Sequence, residues 1–218
     1  MKTLITLCFF GLTPTAHAQE FTVLLGKKNL GSLTFSQSGT TARLHSTLNQ
    51  TPMGVFNGTF KGTSAGNAKT ATFTGDSKSS RKQRHVVVDH KNARPVSVDI
   101  SPQKERTELS DPSRVTGPTL DPVRAIAHLI SARGCPAAVR LYDGRRVIAI
   151  TPTQQTQAAD HLTCAMRYKV TQGPGHLSPL RISSAKMQLR YATSGTKQIL
   201  QQIKISSGVF GLSLNRKK

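Results

Sequence analysis

Along most of the chain from Phe21 to Leu214, short runs carry apolar residues at every second position. Phe21, Val23 and Leu25 alternate with Thr22 and Leu24, and Ala42, Leu44, Ser46 and Leu48 alternate with Thr41, Arg43, His45 and Thr47. Leu33 and Phe35 keep the period, as do Phe56, Gly58 and Phe60, then Val96, Val98 and Ile100. Leu162, Cys164, Met166, Tyr168 and Val170 repeat it, followed by Met187, Leu189 and Tyr191, by Ile203 and Ile205, and by Phe210, Leu212 and Leu214. A period of two turns successive side chains to opposite faces, so each such segment is a strand with one face in the core and one in water. Gly, Asn, Asp, Ser and Pro punctuate the runs as turns. The expectation is a mainly β chain, a curved antiparallel sheet or half-barrel built as a single domain over residues 19–218.

One segment breaks the period. In D-P-V-R-A-I-A-H-L-I-S-A-R-G, Val123, Ile126, Ala127 and Ile130 share one helical face. Asp121 suits the N-cap, Pro122 the first turn, Arg133 the last turn and Gly134 the stop, which predicts one amphipathic helix over about 121–133. The polar stretch 104–120 before it reads as a loop over the surface. Asp143-Gly144 between V-R-L-Y and R-R-V-I-A-I reads as a two-residue hairpin turn, with Arg145 and Arg146 opening the return strand.

Residues 1–18 read as a secretory signal: Lys2 as the basic start, Leu4 to Leu12 as an apolar run too short to span a bilayer, and Ala16-His17-Ala18 as the cleavage site. Export to the periplasm changes how the cysteines and the charge are read. Cys8 leaves with the signal. Cys135, just past the helix stop, and Cys164, on the core side of its strand, are expected to form a disulfide, the alternative being two buried free thiols. The chain has 30 Lys and Arg against 10 Asp and Glu, a net charge of +20. In the cytosol that balance would point to nucleic acid. An exported chain meets lipid headgroups and other envelope polyanions instead, so no nucleic acid is expected and peripheral membrane contact is. Arg81, Lys82 and Arg84 are the candidate contacts for such an anionic surface. The alternative is a basic protein whose charge serves no partner.

Catalytic and metal patterns are weak. G-T-S-A-G around Ser64 matches a nucleophile motif, yet a strand-like run follows it where a helix is needed. His85 and Asp89 share a strand face but lie about 13 Å apart, too far to share one metal. No other metal, phosphate or dinucleotide pattern is present. The expectation is a protein that is not an enzyme, with no catalytic, cofactor or metal residues.

The order of motifs resembles an exported bacterial family known as domain of unknown function number 3108. An export signal precedes G-x-x-x-L-G-S-L (Gly26 to Leu33), V-F-N-G-T-F-K-G, V-V-V-D, the Asp121-Pro122 helix start, the Asp143 to Arg146 turn and a cysteine strand. The resemblance implies a fold similar in outline to the periplasmic lipoprotein carriers LolA and LolB, in which a curved sheet wraps helices around an apolar cavity. It brings no catalytic residues with it. Two functions follow as expectations: a cell-envelope protein binding an apolar or amphiphilic ligand such as lipid in a hollow, or a structural or interaction protein of the envelope with a filled core. The packing of Phe21, Phe35, Phe56, Phe60, Leu162, Met166, Tyr168, Phe210 and Leu212 discriminates them.

Overall fold

The computed structural model describes residues 17–51, 57–80, 82–176, 182–208 and 210–217. The first half of the chain forms β1 (His17–Leu25), β2 (Lys28–Ser38), β3 (Thr41–Leu48), β4 (Gly58–Gly66), β5 (Thr70–Ser79), β6 (Gln83–Lys91) and β7 (Arg94–Ser101). One helix follows, α1 (Pro122–Ile130). The second half forms β8 (Val139–Tyr142), β9 (Val147–Gln157), β10 (His161–Gln172), β11 (Ser184–Ser194), β12 (Lys197–Ser207) and β13 (Phe210–Arg216). All thirteen strands belong to one antiparallel sheet in the order β7-β6-β5-β4-β3-β2-β1-β13-β12-β11-β10-β9-β8. Each half is a meander, and the β1–β13 pairing, from Phe21 opposite Arg216 to Leu25 opposite Leu212, welds the two. The sheet does not close, since its edges β7 and β8 are not paired with each other. Helix α1 touches β3, β4, β8 and β12. Those strands are far apart in the sheet, so the sheet must curl around the helix to meet it on several sides. The mainly β, curved-sheet expectation with a single helix therefore holds.

The alternating faces read from the sequence are the faces observed. Phe21, Phe35, Leu44, Phe73, Val88, Ile100, Leu162, Met166, Leu189 and Tyr191 are buried. Phe60, Tyr168 and Leu212 are half-buried against them. Phe56 and the side chain of Phe210 lie outside the described residues. The helix closes over this layer with Val123, Ala125, Leu129 and Ile130 buried, and the Tyr191 hydroxyl donates to the Leu129 carbonyl at 2.7 Å.

Five expectations need correction, four of them local. The helix ends at Ile130, three residues early, because the backbone of Ser131 leaves the helical region (φ −89°, ψ 1°) after closing the last regular bond to the Ala127 carbonyl, which the Ser131 hydroxyl also takes. Its buried face is wider than the one drawn from spacing: Ile126 and Ala127 are half-buried, while Ala125 and Leu129 are buried, because strands approach it from more than one side. Val96 is 53 % exposed. A register shift pairs Asp89 with Ser97 and His90 with Pro95, leaving Val96 as the extra residue of a bulge that turns it outward. The hairpin between β8 and β9 has a four-residue loop, Asp143 to Arg146, with Tyr142 opposite Val147. Asp143 Oδ1 accepts the N–H groups of both Arg145 and Arg146 at 3.0 and 2.9 Å, so the arginines belong to the turn and not to the return strand.

The largest difference lies between the two sheet edges. Residues 102–120 are no loose surface loop. They form 3-10 turns at Gln103–Glu105, Glu108–Ser110 and Pro112–Arg114 and bury Glu105, Leu109, Ser110, Val115 and Thr119. Leu120 then pairs with Leu141 of β8, and the Thr119 N–H donates to the Ala93 carbonyl of the β6–β7 turn. The segment is a packed strap that spans the open side of the sheet. Gly144 completes it. A side chain there would meet Val86 Cγ1 at 2.7 Å, and its φ of 88° also favours glycine.

Cys135 and Cys164 are disulfide-bonded with Cα atoms 5.5 Å apart. The bond ties the segment after α1 to the fully buried core position on β10. Replacing both cysteines by alanine should cost about 3–4 kcal/mol in the chain-entropy account of a loop this long. For a chain of this size that lowers the melting temperature by on the order of 10 °C. Thermal denaturation followed by circular dichroism checks it, and a melting temperature within 2 °C of the parent, roughly the shift of under 1 kcal/mol, would contradict it.

Candidate functional site

Three charged assemblies are built on this frame. The first is the entry to α1. Asp121 is 1 % exposed. Its Oδ1 accepts the N–H groups of Val123 and Arg124 at 2.9 Å each, the N-cap arrangement expected from D-P. Its Oδ2 accepts the Ser64 hydroxyl at 2.7 Å and lies 3.6 Å from Arg124 Nε. Ser64 sits within strand β4 and is 1 % exposed, so the G-T-S-A-G match serves to anchor a helix cap. His90 and Asp121 belong to the wall of one small cavity.

The second assembly is the D-G-R-R turn at the strap. Glu105, 7 % exposed at its side chain, accepts from Arg84 Nη2 at 2.6 Å and Nε at 3.2 Å. Arg145 and Lys82 lie 3.6 Å from the same carboxylate. Burial alone would raise the Glu105 pKa, but the Arg84 hydrogen bonds and the charges of Arg84, Arg145 and Lys82 outweigh it and hold the carboxyl below its usual range. Ser110 and Thr107 donate their hydroxyls to the carbonyls of Gly144 and Arg145. Arg146 faces Asp143 at 3.1 Å and donates to His176 Nδ1 at 2.8 Å. That donor leaves the proton on Nε2, which donates to the Tyr168 oxygen. Burial, reinforced by Arg146, lowers the His176 pKa to about 4, so the ring is neutral at pH 7.

These contacts decide the fate of the basic cluster singled out in the sequence. Arg84 and Lys82 are turned to Glu105, and only Lys82 is well exposed, at 66 % of its side chain against 23 % for Arg84. Arg81 lies outside the described residues. Arg84 thus acts at the strap rather than as a free surface cation. Asp143 and Gly144 sit in the hairpin loop as expected. His85 pairs with Asp76 across the strands at 2.7 Å, and Asp89 accepts from Thr72, so the two do not converge. Among the described residues no group of three or more metal-binding side chains comes together.

The third assembly was not singled out in the sequence. Arg167 and Lys169 of β10, Lys186 of β11 and Lys204 of β12 are all exposed. Arg167 stands directly opposite Lys186, and Lys204 opposite Gln188. Among the described residues none of the four has a carboxylate at ion-pair distance. Arg167, Lys169 and Lys186 line an outer groove of about 840 Å³ that includes Ser184 and Ser206, and Lys204 lines a neighbouring one with Lys186. Like charges placed opposite each other in a sheet repel. The outer face of β2 to β5 is different: Ser32, Thr34, Ser36, Thr47, Thr59, Thr63, Thr72 and Thr74 dominate it, and Lys61 stands opposite Asp76. The signal for this patch was present, because Arg167 and Lys169 alternate with the core residues Met166, Tyr168 and Val170.

No protein-family model matches the chain, and no curated protein matches it in sequence. Among the described residues no helix is long and apolar enough to cross a membrane.

Proposed function

We propose that this chain is an exported, periplasmic envelope protein that holds anionic phospholipid headgroups against the outer face of β10–β12 and is not an enzyme. The observation that carries the reading is the Arg167–Lys186 pair with Lys169 and Lys204 beside it, a like-charged cluster on one half of the sheet. Its self-repulsion is relieved when an anionic layer covers it. The filled-core alternative is favoured over a hollow carrier by the packing of the inner face. Val123 and Leu129 of the helix are fully buried against the sheet, and Phe21, Phe35, Leu162 and Met166 are buried with them. His17 and Ala18, at the end of the proposed leader, pair with Gln37 and Ser36, so cleavage after Ala18 removes two rungs and leaves β1 paired from Gln19 onward.

Each Lys or Arg near an anionic membrane contributes about 1 kcal/mol. Replacing Arg167, Lys186 and Lys204 by Gln should therefore weaken binding to phosphatidylglycerol vesicles on the order of 100-fold. Replacing Arg43, Lys61 and Lys78 by Gln removes the same charge from the other half of the outer face and should change binding by less than about 10-fold, since screening makes the interaction local. Vesicle co-sedimentation at several salt concentrations measures both. Equal losses in the two triple variants would reduce the reading to net charge. Saturable uptake of a fluorescent fatty-acyl probe that survives high salt would favour the carrier reading instead.

A further inference from the structure

The β4–β5 turn, the end of β6 and the entry to α1 enclose a cavity of about 110 Å³ lined by Asn67, Ala71, His90, Thr119, Asp121 and Arg124. That is several times the space one water needs. Two of its walls are polar groups without partners. His90 is 6 % exposed, and neither ring nitrogen has a partner in hydrogen-bond geometry; the Val88 carbonyl lies near enough only to favour a ring proton, which leaves the ring's other nitrogen with no polar neighbour of its own. Thr119 is 2 % exposed, and its hydroxyl makes none either. Buried polar atoms of native proteins are nearly always satisfied, by protein, water or a bound group. Asp121 behaves differently: its two oxygens already hold two backbone N–H groups, the Ser64 hydroxyl and Arg124.

The chemistry of the walls restricts what fits. Burial lowers the His90 pKa; Arg124 adds to that, and Asp121, the Val88 carbonyl and Asp89 oppose it without reversing it. The neutral ring presents one donor and one acceptor, and Thr119 offers a hydroxyl that is both. The charges of Asp121 and Arg124 offset each other, so an anion would face the carboxylate and a cation the guanidinium. Ala68, Ala71, Ala93 and Leu120 supply the apolar remainder. The mouth lies at the exposed Asn67-Ala68 turn, where Arg124 Nη1 donates to the Asn67 carbonyl at 2.9 Å. From the unpartnered His90 and Thr119 side chains in this neutral cavity, we propose that it binds a small uncharged molecule carrying both a hydrogen-bond donor and an acceptor, of the carboxamide or alcohol class.

The test uses the full chain with nitrogen-15 labelled histidine, assigning the His90 ring signals by their loss in His90→Gln. Acetamide should shift those signals saturably, with acetate and methylammonium at least 10-fold weaker. Thr119→Val removes one partner, and Ala68→Leu narrows the mouth from an exposed turn. Each should weaken acetamide at least 10-fold with an unchanged melting curve. If Thr119→Val fails to fold, Ala68→Leu alone decides. Absence of saturation by acetamide would overturn the proposal, as would a crystal structure grown with acetamide in which ordered water alone bridges His90 and Thr119. Acetate binding as tightly as acetamide would overturn the uncharged class.

Discussion

Asp121→Ala is expected to destabilise the protein by about 3 kcal/mol, the sum of a lost N-cap and a buried hydroxyl left without its acceptor. The variant removes the acceptor of the first two free N–H groups of α1 and of Ser64 in one step. Arg124 loses its ion-pair partner as well, though its side chain is 22 % exposed and regains some solvation. Urea denaturation read by far-ultraviolet circular dichroism measures the loss. Asp121→Asn keeps a carbonyl oxygen for the cap and should lose less than half as much. The two changes Asp121→Ala and Ser64→Ala should cost less together than the sum of each alone, since Ser64→Ala removes the orphaned hydroxyl. A strictly additive cycle would mean that the Ser64–Asp121 contact does not couple strand β4 to the helix.

Glu105→Ala should be comparably harmful, by about 2–4 kcal/mol, because it leaves the guanidinium groups of Arg84 and Arg145 facing one another without a counter-charge. Their partial exposure, 23 % and 16 %, keeps the loss toward the lower end. The parent should also show an acid dependence that Glu105→Gln lacks. The folded carboxyl titrates below the ordinary value of 4.5. Its contribution is therefore complete above that ordinary value and falls away as the pH drops through it toward the lower folded value. Denaturation midpoints between pH 6 and pH 3 in the parent and in Glu105→Gln test this. Parallel curves in that range would remove Glu105 from the account of acid stability.

The sheet was legible because burial on one face imposes its period on the residues, and the Asp121 cap because aspartate before proline has few other uses. The disulfide followed from one cysteine on a core face and another past the helix stop. What escaped was set by contacts distant in sequence. The strap carries no period: its buried residues, Glu105, Leu109, Ser110 and Val115, are spaced by short 3-10 turns, and a buried glutamate reads as solvent-facing until its arginines are found. Arg84 looked like a surface cation for the same reason. Val96 misled because a one-residue bulge reverses the faces, and its one signal in R-P-V-S-V-D-I, a proline inside a strand, fits an edge strand equally well. His90 stood on the inner side of its strand by alternation with Val86 and Val88. That it has no partner there depends on side chains from two distant segments.

The β1–β13 weld gives the molecule a temporal asymmetry. β1 meets β2 across a two-residue turn, yet its other flank waits for residues near Arg216. A chain delivered from its N-terminus can lay down the first meander early and the second meander later, each from nearest neighbours. The central rungs, where Val23 faces Leu214, must come last. Until then each meander carries an unpaired strand edge in what becomes the middle of the finished sheet, and such edges recruit other chains. The step that joins them closes the longest loop in the protein, which makes it the slow one and the interval before it the period of greatest exposure to aggregation.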